Sequence, residues 1–197
     1  MEEIEEQIKL DPITKDEARE QFIQKTNELG LKHRFDFDTT WEAMVDIENK
    51  RLFREKIMKL QEEVESNEGS LKNEALHSYN PVKHDFADGC YIREIFNPAG
   101  QLLITKIHKK RHPFFLMKGK MSILTENGIS TIEAPYNGIT EPGTKRAIYT
   151  HTDCVFITVH ATELTDVDEI VNEVTATDFS DEDIALIDFT QLKIEEI

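Results

Sequence analysis

Two histidines with the spacing of metal ligands stand in the stretch KIHKKRHPFFLMKG, residues 106 to 119. His108 and His112 are four residues apart, between a basic cluster and an apolar run that ends in glycine. Neutral imidazole is a common ligand of divalent metals, and a hydrogen-bonded polar pair is the alternative role for such residues. The sequence places a candidate site here and leaves both interpretations open.

A third histidine joins this pair if the chain around it forms a strand. His160 ends the run CVFITVH, and side chains four residues apart face the same side of a strand. If Phe156 faces the interior of a barrel, His160 therefore faces it as well. The candidate metal ligands are His108, His112 and His160.

Cationic side chains surround these histidines in two predicted turns. Arginine forks suit carboxylates and phosphates, so an anionic small molecule or an acidic segment of another chain would suit the cluster. The alternative is a solvated charged surface that binds nothing. The candidate residues for an anion or a partner are Lys106, Lys109, Lys110, Arg111, Lys145 and Arg146.

Charge is unevenly distributed along the 197 residues, whose net formal charge is -16. This value argues against nucleic acid and against a membrane as partners of the whole chain. Residues 1–80 carry a net -8, residues 81–160 carry +3 and residues 161–197 carry -11. One hypothesis is that the acidic tail of one subunit docks on the basic cluster of a neighbour. Deleting residues 177–197 would then weaken self-association.

The composition also indicates a compartment. The N-terminal sequence MEEIEEQIKL is acidic where a signal peptide would be basic, and no apolar run approaches the roughly 20 residues that span a bilayer. Two cysteines in a chain of this length do not form a disulfide framework. We therefore expect a protein of the reducing cytoplasm.

Helical spacing of apolar residues marks the first 75 residues. Thr14 and Glu17 have the spacing of a capping box, and the helix that they begin is expected to stop at Gly30. Thr39 and Glu42 repeat that relation at the start of a longer helix that ends near Gly69. One apolar stripe of the longer helix packs either on its own domain or on another chain. The stripe comprises Phe53, Ile57, Leu60 and Val64.

Short strands separated by turn signals mark residues 81–160. Runs of five to seven residues alternate with turn sequences such as NPAG, ENG, YNG and EPG, which predicts a small antiparallel sandwich or barrel. After His160, TELTDVDEIVNEV predicts a helix capped by Thr162 or Thr165. The predicted strands are CYIREIF, QLLITKI, PFFLMK, KMSILT, ISTIE, RAIYT and DCVFITV.

The strand region resembles the cupins, and particularly the small cupin-like proteins encoded by tailed bacteriophages. The similarity runs from about Tyr79 to Glu163 and is carried by REIFNPAG, KIHKKRHPFFLMKG, EAP and PGTKRAIY. It implies a mainly β fold: a cupin-type jelly-roll barrel preceded by an α-helical N-terminal region and followed by a short helix and an acidic tail. The predicted boundaries are 1–78, 79–163 and 164–197.

The resemblance bears directly on the histidines. Cupins hold a metal with two histidines and a glutamate from a first motif and one histidine from a second. With Gly119 as the glycine that ends the first motif, His108 stands at the second histidine position and His112 stands where the glutamate would be. Cations replace the other two ligands. These are Lys106 in the first motif and Lys145 or Arg146 in the second.

Two classes of function follow from the resemblance. The first is a non-enzymatic binding or interaction module, a phage virion component or assembly accessory that self-associates and contacts other proteins, in the host cytoplasm or incorporated in the virion. The second is a metal-dependent cupin enzyme, with Fe, Mn, Ni or Zn, or a small-anion sensor that uses the barrel pocket. The broken metal set and the large part of the chain outside the barrel favour the first.

Overall fold

The structure is a computed structural model that describes residues 14–30, 36–71 and 73–184. The described residues fall into two units, of which the first comprises residues 14–30 and 36–49 and the second comprises residues 50–71 and 73–184. Most of the predicted acidic tail, residues 185–197, lies outside the described residues.

The first unit contains helix α1, Lys15–Glu28, and the beginning of helix α2, Phe37–Ser66. Helix α1 begins at the predicted capping box, because the Thr14 hydroxyl accepts from the amide of Glu17 and the Glu17 carboxylate accepts from the amide of Thr14. The predicted cap of α2 was wrong. Asp36 lies three residues before Thr39 and accepts a hydrogen bond from its amide at 3.2 Å, so the carboxylate takes the capping role.

In the second unit, the rest of α2 carries the predicted apolar stripe. Ile57 is buried within this chain, and the other three members of the stripe are partly buried. Helix α3, Asn73–Tyr79, then leads into the strands. The stripe therefore packs at least in part on its own chain, which is one of the two alternatives left open by the sequence.

Ten strands follow between Val82 and Ala161, and they alternate along the chain with short turns. After them come helix α4, Val167–Val174, and strand β11, Thr175–Ala176. The ten strands are β1 Val82–Ala87, β2 Cys90–Asn97, β3 Leu102–Ile104, β4 Ile107–His108, β5 His112–Lys118, β6 Lys120–Thr125, β7 Gly128–Glu133, β8 Tyr136–Thr140, β9 Ala147–Thr150 and β10 Cys154–Ala161.

All of the strand pairs are antiparallel, and they form two main sheets with the orders β1-β2-β10-β5-β8 and β3-β9-β6-β7. Strand β4 pairs with β11 outside these sheets. Leaving aside β1 and β4, the strands form two four-stranded sheets in the Greek-key order of a jelly roll, with only β6 and β7 consecutive within one sheet. The main hydrophobic core joins Phe114 and Leu116 of the first sheet to Met121 and Ile148 of the second. The predicted mainly β jelly-roll barrel with flanking helices is thus confirmed.

A β-bulge interrupts the pairing of β10 with β5. Val155 pairs with Lys118, but the next residue, Phe156, pairs with Leu116, so Met117 has no partner on β10. Beyond the bulge the register is regular as far as the pair Thr158 and Phe114.

Some elements differ from the predictions. Strands β1 and β8 were not predicted, because Lys83 and Asp85 make β1 polar and the YNG of β8 is typical of a turn. Helix α4 is capped by Asp166, whose carboxylate accepts from the amide of Glu169, and by neither predicted threonine. Within the described residues, the structure has no helix both long enough and apolar enough to cross a membrane.

Candidate functional site

The three candidate histidines meet inside the barrel. His112 opens β5, His160 lies in β10 and His108 ends the short strand β4. The ring centroid of His112 lies 4.5 Å from that of His108 and 4.2 Å from that of His160. His108 and His160 are 6.2 Å apart by the same measure. The parity argument for His160 is also confirmed, because Phe156 and His160 are both buried.

Burial keeps these imidazoles neutral. Desolvation lowers the pKa of His160 to about 4, with His112, Arg93 and Lys110 adding to the effect. Desolvation also lowers the pKa of His112 and brings that of His108 well below the usual value of a histidine. Buried imidazole loses water that would stabilise its charged form, and the rings would repel one another if charged. Each ring therefore retains a lone pair at neutral pH.

Each histidine also has a buried nitrogen without a hydrogen-bond partner among the described residues. These atoms are Nδ1 of His108, Nε2 of His112 and Nδ1 of His160. The Nδ1–H of His112 donates to the carbonyl of Lys110 at 3.0 Å, which leaves Nε2 as the unprotonated nitrogen of the neutral ring. Buried polar atoms are nearly always paired in folded proteins, so three unpaired ones in one cluster indicate a ligand site.

Arg146 brings a cation to the cluster from the second sheet. It directly precedes β9, is only 6% exposed, and donates through Nη2 to the hydroxyl of Thr140 at 2.7 Å. Its guanidinium carbon lies 5.1 Å from the ring centroid of Phe114. Burial lowers the pKa of Arg146 to about 10, which still leaves it charged at neutral pH.

Arg93 brings a second cation, from strand β2 of the first sheet. It lies two residues from both Tyr91 and Ile95, so it shares their inward face of the strand. Its charge lowers the pKa of both His108 and His160. Burial lowers the pKa of Arg93 itself, and no described residue forms a hydrogen bond or an ion pair with its side chain. Across the ladder, Arg93 pairs with Thr158, whose buried hydroxyl is also unpartnered.

The sequence analysis missed Arg93, although a signal for it was present. In the predicted strand CYIREIF, two-residue alternation puts Tyr91, Arg93 and Ile95 on one face. The face that carries a large aromatic and an isoleucine is expected to be the inner one. An arginine between them is therefore a buried charge that needs a partner.

Tyr91 extends the cluster towards the open edge of the first sheet. Its side chain is 1% exposed, and its ring stacks against those of His160 and His84. The Tyr91 hydroxyl and Nδ1 of His84 lie 2.6 Å apart. This contact fixes the tyrosine at the edge of the histidine cluster.

The outer basic residues have acidic partners in the same chain. Lys109 contacts Asp181 at 2.9 Å and Asp183 at 3.1 Å, and Lys110 contacts Glu173 at 2.7 Å. An exposed pair, Arg111 with Glu141, lies at 3.1 Å. These three cations are therefore neutralised within one chain.

The acidic partners of Lys109 belong to a C-terminal strap, which we define as residues 175–184. Strand β11 at its start pairs with β4, with Thr175 opposite His108. Farther along, Ile184 is fully buried with Ile107 and Ala176, and the ring of Phe179 lies beneath the guanidinium of Arg54 at 4.5 Å. The strap thus lies directly beside the strand that holds His108.

The remaining two predicted cations differ in exposure. Lys106 is exposed, whereas Lys145 is only 2% exposed and donates through Nζ to the carbonyl of Thr105 at 2.8 Å. Burial lowers the pKa of Lys145. Of the six predicted cations, Arg146 and Lys110 act on the histidines: the charge of Arg146 lowers the pKa of His108 and His112, and the charge of Lys110 lowers that of His160.

The residues present do not fit a resident metal. Among the residues that the structure describes, no group of three or more His, Cys, Asp or Glu side chains is placed to hold one. The three imidazoles offer suitable free nitrogens, but the charges of Arg93 and Arg146 both act on His108 and oppose a divalent cation there. The guanidinium groups and the hydroxyl of Thr158 are hydrogen-bond donors, and donors beside positive charge suit an anion better.

Comparisons with known proteins concern the fold alone. No family model and no curated protein matches the sequence. Among solved structures, an ectoine synthase from P. lautus is similar over 48% of this chain and 72% of its own, at 14% identity and a TM-score of 0.40. A cupin-2 domain protein from Shewanella frigidimarina is similar over 41% of this chain and 79% of its own, at 10% identity and a TM-score of 0.36. An acetylacetone dioxygenase from Acinetobacter johnsonii is similar over 44% and 64%, at 22% identity and a TM-score of 0.36.

Proposed function

We propose that this protein is a binding module that holds a small anionic ligand at the polar end of its barrel. The observation that carries the proposal is the guanidinium of Arg93. It lies beside the buried histidine cluster, and no described residue pairs with it. An inward-facing charge of this kind is costly without a partner, and an anion would offset that cost.

The surroundings of Arg93 support the proposal. Arg146 adds a second buried guanidinium, while the three imidazoles are neutral and bring no charge. The unpartnered hydroxyl of Thr158 adds a hydrogen-bond donor on the strand next to Arg93. Two cations and the free hydroxyl of Thr158, with no carboxylate paired to either cation among the described residues, form a site for negative charge.

The test of the anion site is isothermal titration calorimetry of the purified protein with chloride, acetate, sulfate and phosphate, each at the same ionic strength. We expect at least one anion to bind with one site per chain, and Arg93→Gln to weaken that binding by about thirtyfold or more. The exposed Lys118 supplies a charge-matched control, Lys118→Gln, which should bind as the wild type does. Absence of saturable binding, or equal binding by Arg93→Gln, would overturn the proposal.

We propose further that the module is non-enzymatic and self-associating, as a virion component or assembly accessory of a tailed phage. The sequence resemblance and the acidic flanks of the barrel support this proposal. Peptide mass spectrometry of purified phage particles tests it, and light scattering of the purified protein gives the oligomer order. A monomeric protein that is absent from particles would contradict it.

The competing function is a metal-dependent cupin enzyme that uses His108, His112 and His160. One observation favours it, namely the free nitrogen on each of the three rings. Elemental analysis of protein purified without added metal separates the two functions. Stoichiometric Fe, Mn, Ni or Zn, lost on His108→Ala, would establish the metal site and overturn the preference for an anion.

A further inference from the structure

From the charges of the site we infer that its ligand is a tetrahedral oxyanion with two negative charges, the chemistry of inorganic phosphate and of phosphate monoesters. This inference rests on the anion site proposed above and goes further, because it names the class of anion. It follows from three features of the cluster: its fixed charge, the directions of its donors and its one accessible side.

The first feature is the fixed charge. Arg93 approaches the histidines from the first sheet and Arg146 approaches them from the second, and the charge of each acts on His108. No described carboxylate pairs with either guanidinium. A monoanion would leave one of the two cations uncompensated in the interior, whereas a dianion neutralises both.

The second feature is the number of directions from which polar atoms approach. A carboxylate has two oxygens in one plane, and a single arginine fork satisfies both. Three donors are available here: Arg93 on β2, Arg146 just before β9, and the buried hydroxyl of Thr158 on β10. A tetrahedral group has oxygens that point out of one plane, so it can accept from all three sources.

The third feature is the side on which the site opens. Arg146, His112 and His160 are 6%, 2% and 4% exposed, whereas Arg93 and His108 remain partly exposed. A ligand would therefore meet Arg93 and His108 first and would reach Arg146 at its inner end. Because this side is partly exposed, an organic group attached to the phosphate would have space to extend towards solvent. The ligand is therefore either free phosphate or a phosphate monoester.

The experiment compares the binding of several anions by the wild-type protein. Its outcome therefore does not depend on whether any variant folds. Calorimetry at about pH 8, where a phosphate monoester is dianionic, would use phosphate, methyl phosphate, sulfate, acetate and malonate at equal ionic strength. We expect phosphate and sulfate to bind with one site per chain and at least about tenfold more tightly than acetate or malonate. Tighter binding of methyl phosphate than of phosphate would identify a monoester as the ligand type, and the reverse order would identify the free ion.

The possible failures are distinguishable. Acetate or malonate binding as tightly as phosphate would overturn the assignment of a tetrahedral dianion and leave the anion module standing. Absence of binding by every anion would overturn both. Arg93→Gln and Arg146→Gln should each weaken phosphate binding by about thirtyfold or more, with Lys118→Gln as control. If either arginine variant fails to fold, Thr158→Val should weaken phosphate binding more than acetate binding, and equal effects on the two would count against the tetrahedral class.

Discussion

The ring centroids of His112 and His160 lie 4.2 Å apart, on two strands that pair with each other. Both side chains are buried, at 2% and 4% exposure. At this separation two imidazolium ions would repel strongly in an interior that solvates neither. Protonation of both rings would therefore destabilise the pair, and this makes the stability of the barrel dependent on pH.

The first prediction concerns that dependence. The folded-state pKa of His160, about 4, lies below the ordinary value of 6.5 because of burial, so the unfolded chain takes up the proton first. Stability is then constant above about pH 6.5 and falls as pH drops towards 4, with a contribution from His160 on the order of 3 kcal/mol. Urea unfolding across this range measures the loss. His160→Asn should reduce the slope and the non-titrating neighbour Thr158→Val should keep it, whereas a flat wild-type profile would contradict the assignment.

The second prediction concerns the hydrogen bond from Arg146 to Thr140. The threonine is fully buried, and its hydroxyl accepts at 2.7 Å. Thr140→Val keeps the shape but leaves the guanidinium nitrogen without this partner, so we expect a loss of about 1–3 kcal/mol in unfolding free energy. The exposed Thr131 offers a matched control, Thr131→Val, expected to change stability by less than about 0.5 kcal/mol. Equal effects of the two variants would show that the buried bond contributes nothing of its own.

The third prediction concerns the C-terminal strap. Ile184→Ala removes a fully buried side chain from the contact with Ile107 and Ala176 and should cost about 2–5 kcal/mol, locally or globally. Lys109→Ala should cost about 1 kcal/mol or less and only at low salt, because it loses partly exposed ion pairs. Hydrogen exchange of residues 175–184 distinguishes the two. An unchanged exchange pattern in Ile184→Ala would show that the strap does not depend on this contact.

The fourth prediction concerns Gly119, between β5 and β6. Its φ is +93°, and a Cβ there would lie 2.3 Å from the carbonyl oxygen of Asp153 and 2.7 Å from Sγ of Cys154. Gly119→Ala should therefore destabilise the barrel by more than about 2 kcal/mol. Gly100 also has a positive φ, +78°, but no heavy atom within 4 Å of its Cβ position. Gly100→Ala should cost about 1–2 kcal/mol, from backbone strain alone, and denaturant unfolding of both variants measures the difference.

The sequence was sufficient for the features that depend on local pattern. Alternation predicted the strands around Phe156 and placed His160 inside the barrel, and helical spacing found the stripe that contains Ile57. The residues that cap α2 and α4 were predicted wrongly. Asp36 and Asp166 lie close to the threonines chosen from the sequence, and their carboxylates accept the amide hydrogen bonds more readily than a threonine hydroxyl does.

Contacts between distant residues could not be predicted in the same way. The spacing of Lys109 and Asp181 in the sequence says nothing about their distance in space, and only the pairing of β11 with β4 brings them together. Arg93 is a different case, since alternation alone was enough to place it inside. The metal motif of the resemblance contains His108, His112 and the basic residues between them, whereas the unpaired Arg93 lies on another strand, β2.

The bulge at Met117 has a consequence for evolution and for engineering. Side chains on a strand point to opposite faces in turn, so an odd shift of β5 against β10 would turn His112, Phe114 and Leu116 outwards together. The unpaired Met117 absorbs one odd step, so Lys118 keeps its pairing with Val155 while the register from Leu116 to Phe114 stays regular. Deleting Met117 would therefore leave a regular ladder with the same side chains in the interior, so β5 tolerates a change of length here that it would not tolerate between His112 and Leu116.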